Sequence, residues 1–342
     1  MAGVATSTAR AALTFAAALA VTLVPAGSAH AATAYCESLT DASNQEWMSG
    51  LPDDTGLAAL SVPGTHDTLS LHGGDITQTQ EDHGDSAETL TAQLDAGIRA
   101  IDIRVRKVDN EFTVHHGTFY QHANFADVLA KAGDFLAAHP GETVLLRLKA
   151  ECTGEVGSCT DESSDLSTAE ILDRYQQNDP NGHYLYNPAS DGPASGATAS
   201  DGTPTLGAAR GKIVLTALQE AQGGLVDGYG LEQFNDDNWG DYVQDEYEVP
   251  TVGDIEQKWN HVREHWDKTN SADPAEMFLN FTSGSSLGAD PKDVACGASG
   301  ARGVNDHALE HLGGNDVPRT GVVLMDFPGS DLINEVISRN GA

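Results

Sequence analysis

Three short segments of this chain carry residue types suited to acid–base chemistry at phosphorus. They are Val62-Pro63-Gly64-Thr65-His66-Asp67, Ile101-Asp102-Ile103-Arg104 and Val114-His115-His116-Gly117. Histidine is the side chain that gains and loses a proton near neutral pH. Two of them can serve as base and acid in one reaction, with carboxylates to orient them. A guanidinium carries a fixed charge and a fork of donors that matches phosphate oxygens. The set predicts phosphodiester cleavage by His/His catalysis, with no obligatory metal and no cofactor.

The pattern around these residues indicates how they are held. Asp102 and Arg104 are i and i+2 on a strand expected from Arg99 to Arg106, so they share a face, while Ile101, Ile103 and Val105 take the other. One reading is an arginine fork aimed at phosphate, and a buried ion pair that only braces the fold is the structural alternative. His66 and Asp67 follow a strand expected over Leu57 to Val62, at the end where α/β barrels gather reacting groups. If Asp109-Asn110 is a two-residue hairpin turn, Arg104 pairs with His115 and His116 faces away. Other registers, or a parallel crossover, place His116 inside, and the local pattern leaves the choice open.

Further elements alternate along the chain. Helices are expected from Ser86 to Ala96 and Phe125 to His139, and strands over Thr143–Lys149, Lys212–Thr216, Met277–Phe281 and Gly321–Phe327. Such alternation predicts an α/β fold with a parallel sheet covered by helices, open or closed as a barrel. The Gly/Ala/Ser/Asp-rich run from Asn187 to Thr205 reads as a surface loop inside one domain. His261 and His265 are i, i+4 on an expected helix. Without the glutamate of an H-E-x-x-H site they read as a solvated helix face rather than a metal pair.

Composition narrows the context. The 342 residues hold 51 acidic and 18 basic side chains, a net charge of −33. That excludes a role built on phosphate-backbone binding, so no nucleic-acid partner is expected. Long-range attraction to an anionic membrane is also ruled against, and contact with lipid must be local. Arg10, the apolar run Ala11–Val24 and the small residues Ala29-His30-Ala31 predict a secretory signal peptide over 1–31, and an extracellular mature chain. The remaining 32–342 is long enough for one large barrel, expected to act as a monomer. Four cysteines suit an oxidising compartment. Cys152 with Cys159 and Cys36 with Cys296 is the favoured pairing among three possible connectivities.

Taken in order, these motifs resemble the bacterial phosphatidylinositol-specific phospholipases C over nearly the whole mature chain. The His66 loop, the Arg104 strand and the His116 loop resemble that family's two histidine loops and arginine strand. Glu142 to Lys149 is similar to its lysine strand, and Ala209 to Leu215 to the next. Val243-Gln244-Asp245-Glu246-Tyr247 resembles an inositol-binding segment, with the last strands at Asn280–Ser283 and Val323–Phe327.

The resemblance implies a distorted (β/α)8 TIM-type barrel in a single domain. It implies His66 as general base oriented by Asp326, His116 as general acid paired with Asp67, and Arg104 stabilising charge on phosphorus. Asp102, Lys149, Asp245 and Tyr247 then fall in the substrate pocket, for a phospholipid met at a membrane surface. The expected products are diacylglycerol and a cyclic inositol phosphate. Metal-dependent relatives carry carboxylates where this chain has Arg104 and an Asn in place of Asp67. One departure stands out: Ala217 occupies the place of a family arginine that holds inositol, with Gln219 and Glu220 as nearby polar groups. The competing readings are a metal-dependent glycerophosphodiester phosphodiesterase or phospholipase D-like barrel, and a secreted barrel without catalysis.

Overall fold

Alternating side-chain direction along the strands sorts the apolar residues into two layers. In the computed structural model Val62, Leu145, Val214, Leu279, Phe281, Val322 and Leu324 face one another inside the sheet's curl. Ile101, Ile103, Leu146, Leu148, Val323 and Met325 face outward, under the helices. The structure describes residues 36, 38–39, 42–78, 86–152, 163–188, 190–191, 203–221, 224–314 and 317–341. The segment 1–31 and Cys159 lie outside the described residues.

The ten strands are β1 Val62–Thr65, β2 Ala100–Val108, β3 Glu111–His116, β4 Phe119–Asn124, β5 Val144–Ala150, β6 Ile213–Gln219, β7 Leu225–Gly230, β8 Val243–Gln244, β9 Leu279–Phe281 and β10 Val322–Met325. Nine helices accompany them among the described residues: α1 Ser86–Ala96, α2 Phe125–Ala138, α3 Thr168–Asn178, α4 Leu206–Ala209, α5 Trp239–Tyr242, α6 Ile255–Ser271, α7 Pro291–Cys296, α8 Val304–Gly314 and α9 Ser330–Ser338.

Sheet order is β7-β6-β5-β2-β1-β10-β9-β8, with β3 and β4 forming an excursion from β2. All neighbours on the main path are parallel except β6 with β7. The path has two ends, so the sheet is a curled, open barrel of the distorted TIM type in one α/β domain. Gly64 lets β1 sit tightly between its neighbours, because a Cβ there would come within 2.7 Å of Ala100 and 2.8 Å of Leu324.

The first expected strand moves. Leu57–Ala59 is a 3-10 turn rather than strand, and β1 begins only at Val62. The expected solvated face of α6 is also corrected. His265 is buried with its ring 5.6 Å from that of Phe278, and Lys258 on the same helix is buried too.

Buried polar bonds lock the closure of the lower barrel. Glu142 accepts from Arg99 Nε at 3.0 Å, from the Met48 amide at 3.2 Å and from the Ser49 amide at 2.9 Å. Arg99 spends its other donors on the carbonyls of Leu94, Ile98, Asn44 and Gln45. Cys36 is bonded to Cys296 at the end of α7, the pairing expected for those two residues. Cys152 is disulfide-bonded as well.

Candidate active site

The parallel strands end together at one mouth, and β1 delivers His66 there. The His66 amide still bonds Met325 on β10 at 2.9 Å, so the imidazole leaves the sheet at a fixed height. Asp67 then adopts φ 44°, a left-handed conformation that turns the chain back sharply. The turn is held from below: the Asp67 amide donates to Asp102 Oδ2 at 3.2 Å, and Thr68 Oγ1 accepts from the Asp102 amide at 2.8 Å. Gln93 on α1 lies 2.6 Å from Thr65 Oγ1 and donates to the Thr68 carbonyl at 2.8 Å.

Two imidazoles and one guanidinium converge above this floor. His66 Nδ1 lies 3.0 Å from Asp326 Oδ1, just past β10, and its Nε2 lies 2.6 Å from Arg104 NH2. Arg104 Nε is 3.9 Å from Asp67 Oδ2, and that oxygen is 3.4 Å from His116 Nε2. Arg104 also meets Asp102 Oδ2 at 3.3 Å and donates to Glu151 Oε1 at 2.8 Å. The order across the mouth is therefore Asp326, His66, Arg104, Asp67, His116. Arg104 thus has one imidazole on either side.

The surroundings set the charge of each group. Burial, reinforced by the Arg104 charge, pulls the His66 pKa well below its ordinary value, so the ring is neutral, with its Nε2 lone pair turned to the Arg104 guanidinium. Burial pushes Asp326 up, and the Asp67 charge adds to this. Burial also raises Asp67 to about 6, although His116 and Arg104 oppose the shift. Asp102 goes the other way: against burial, the guanidinium groups of Arg147 and Arg104 hold it ionised. Lys149, in register with Arg104, is lowered to about 8 by the Arg104 charge and by burial.

The histidine hairpin has a register that the local sequence pattern left open. Asp109 and Asn110 do form the two-residue turn, with φ 52° and 63°, and Val105 pairs with Val114. His116 nonetheless reaches the site. The β3–β4 pairing shifts between Thr113 and His115, and such an irregularity re-aims the chain. Gly117 follows at φ 53°. His116 Nδ1 lies 3.0 Å from Ser70 Oγ, which leaves Nε2 for Asp67. His115 is buried beside Tyr120 instead, and burial with the Arg106 charge lowers it to about 4.

Comparisons with known proteins bear on the family and the fold. Residues 60–218 match the family model described as phosphatidylinositol-specific phospholipase C, X domain. A 1-phosphatidylinositol phosphodiesterase of Listeria monocytogenes is 33% identical over 301 residues, spanning 86% of this chain and 85% of the relative. The chain belongs to the bacterial phosphatidylinositol-specific phospholipase C family. A Staphylococcus aureus relative of the same description is 27% identical, covering 90% of this chain and 98% of its own length. The solved Listeria enzyme superposes with a TM-score of 0.63 at 30% identity, over 86% of this chain and 98% of that one. A Staphylococcus structure whose title concerns membrane binding gives 0.64 at 24% identity over 89% and 99%, a likeness of fold alone.

Within that family frame, the six residues His66, Asp67, Asp102, Arg104, His116 and Asp326 form one connected array. Lys149 stands on the same inner face as Arg147, two residues nearer the mouth. Asp245 and Tyr247 follow β8, at the far edge of the sheet beyond β9. Tyr247 is 64% exposed and has no side-chain partner among the described residues, so it is free to meet a ligand ring but is not held ready for one. Sequence reasoning passed over Glu151, which bonds Arg104 and also accepts from the Gly117 amide at 2.7 Å, joining the arginine to the His116 loop. It also passed over Ser70 and over Gln78, whose amide nitrogen is 3.1 Å from His66 Nδ1 and 3.5 Å from Asp326 Oδ2. Only Glu151 had a local signal, since it is i+2 from Lys149 at the end of a strand. Gln78 and Ser70 come from loops with no period to read.

Proposed function

We propose that this protein is a phospholipase C that cleaves the glycerol-side phosphodiester of phosphatidylinositol, releasing diacylglycerol and a cyclic inositol phosphate. The observation that carries the reading is Arg104 standing between two imidazoles, each backed by its own carboxylate. His66 Nε2 takes the proton from the ring hydroxyl next to the phosphate, and that oxygen attacks phosphorus. The proton gained by His66 is balanced through Nδ1 by Asp326. His116, with Asp67, gives a proton to the departing glycerol oxygen. Arg104 meets the charge that builds on the non-bridging oxygens. Attack by a neighbouring hydroxyl is intramolecular, so positioning supplies much of the acceleration.

The catalytic cation in this reading is Arg104, and no metal is required. Asp67, Asp102 and Glu151 converge on its guanidinium, which occupies their shared centre. Lys149, Asp245 and Tyr247 are assigned to the headgroup pocket. Residues 1–31 direct export and 32–342 form the mature extracellular barrel, acting as a monomer on phospholipid. N-terminal sequencing of secreted protein tests that boundary.

The decisive assay follows phosphorus by NMR during incubation with phosphatidylinositol in excess chelator. The expected result is a cyclic inositol phosphate from wild type, with kcat lower by about 10²–10⁴ in His66→Ala and His116→Ala. Activity lost to chelator and restored by calcium overturns the metal-free assignment. No cyclic product from any phosphoinositide overturns the reaction.

A further inference from the structure

Arg147 and Gln219 form a polar pair inside the barrel that the proton-transfer scheme leaves unused. Arg147 lies on β5 in register with Asp102 on β2 and Ala217 on β6, all on the inner face. Thr216 is the extra residue where the β5–β6 register shifts, and it brings Ala217 and then Gln219 inward, Gln219 level with Lys149. Ala217 has only a methyl group, which leaves room beside it for the neighbouring guanidinium.

That guanidinium is fixed on every side. Arg147 NH1 donates to Asp102 Oδ1 at 2.7 Å, NH2 donates to Gln219 Oε1, and the rings of Phe281 and Trp239 lie 5.3 Å and 5.8 Å from its carbon. Arg147 is buried, and its Nε has no partner among the described residues. A guanidinium has donors only, so its neighbour on Gln219 must be the carbonyl oxygen. The Gln219 amide is thereby prevented from flipping, and its NH2 end is left without a partner among the described residues at the level of Lys149. Glu220 is not available for the same task, because Thr168 Oγ1 donates to it at 2.7 Å and Lys107 lies 3.8 Å away.

We propose that Gln219 is a headgroup-contact residue, its amide NH2 donating to a hydroxyl of a cyclitol ring, and that Arg147 is the positioning residue that orients it. The proposal deepens the headgroup reading given above and rests on it. A donor held in one orientation donates to a hydroxyl oxygen without first giving up rotational freedom, which favours a polyhydroxylated ring over a flexible or cationic headgroup.

Two measurements on the full-length mature protein test it: steady-state kinetics on phosphatidylinositol in mixed micelles, and calorimetric titration with myo-inositol. Gln219→Ala and Gln219→Glu remove the donor at a half-buried site, with thermal melting as the control for folding. The expected result is a rise in KM of about tenfold with kcat little changed, and weaker myo-inositol binding by a similar factor. In the inositol titration Arg147→Met is expected to match Gln219→Ala, Arg147→Lys to recover part of the loss, and the double variant to bind no worse than either single one. Unchanged KM and inositol affinity in the Gln219 variants overturn the proposal while leaving the reaction standing. A wild type inert on phosphoinositides that still binds myo-inositol through Gln219 overturns the reaction and keeps the proposal. A wild type that does neither overturns both.

Discussion

His66 Nδ1 and Asp326 Oδ1 are 3.0 Å apart although 260 residues separate them along the chain. The contact exists because β1 and β10 are parallel neighbours, with Thr65 opposite Met325, so the residues following each strand emerge side by side. Asp326→Asn keeps the shape but removes the charge that balances a protonated imidazole. We expect kcat to fall by about 10²–10⁴ with KM little changed, as measured by single-turnover kinetics on phosphatidylinositol. A KM effect alone would refute the assignment of Asp326 to His66.

Arg104 touches His66 Nε2, Asp102 and Glu151 at once, a geometry a fork can satisfy and an ammonium cannot. Arg104→Lys therefore retains charge yet loses placement. Its kcat should drop by about 10²–10³, the scale for losing one preorganised charge-stabilising donor. Activity within threefold of wild type would show that charge alone suffices.

The pH dependence of kcat/KM follows from two side chains. Asp67 is raised to about 6, so it is protonated below that value and no longer offers His116 a carboxylate. Lys149 is lowered to about 8, so it is charged below that value and neutral above it. Because His66 is pulled below its ordinary value, it stays a competent base across the interval between them. The expected profile falls on the acid side near 6 and on the alkaline side near 8. Asp67→Asn should abolish the acid inflection and Lys149→Met should weaken the alkaline one. Inflections that persist in both variants would assign the profile to other groups.

Glu142 serves stability rather than chemistry. Its carboxylate is buried under Arg99 and two backbone amides, far along the strands from the mouth. Glu142→Gln leaves the Arg99 charge buried without its partner, which costs on the order of 3–5 kcal/mol. Urea unfolding should show this loss, while the kcat of the remaining folded enzyme stays at the wild-type level.

Much of this arrangement was legible in the sequence because strand and helix periods are local. The alternation of Ile101, Ile103 and Val105 with Asp102 and Arg104 places the two polar residues inward, and the structure agrees. The boundaries of α1 match the expectation, since Leu90 and Leu94 set its period and Gly97, at φ 116°, stops it. His116 was harder. Parity along β3 turns it outward, and the irregular pairing with the next strand, β4, has no period in the sequence to announce it. Ser70, Gln78 and Arg147 were not found for a related reason. Each acts through a partner fixed by tertiary packing, and Arg147 looked like one more residue of a buried strand. The burial of His265 and Lys258 likewise depends on which face of α6 meets the sheet.

The Cys36–Cys296 bridge has a consequence for when the molecule becomes competent. It spans 260 residues, the same separation as His66 and Asp326. Asn305 links the two regions, donating to the Asp326 carbonyl at 2.8 Å with its amide nitrogen 3.9 Å from Cys36 Sγ. The earliest and latest described parts of the chain must meet before the base has its carboxylate, so a partly emerged chain holds only half of a proton relay. In reducing surroundings the bridge does not persist. The base and its carboxylate thus come together only once segments from both sides of that bridge have packed against one another.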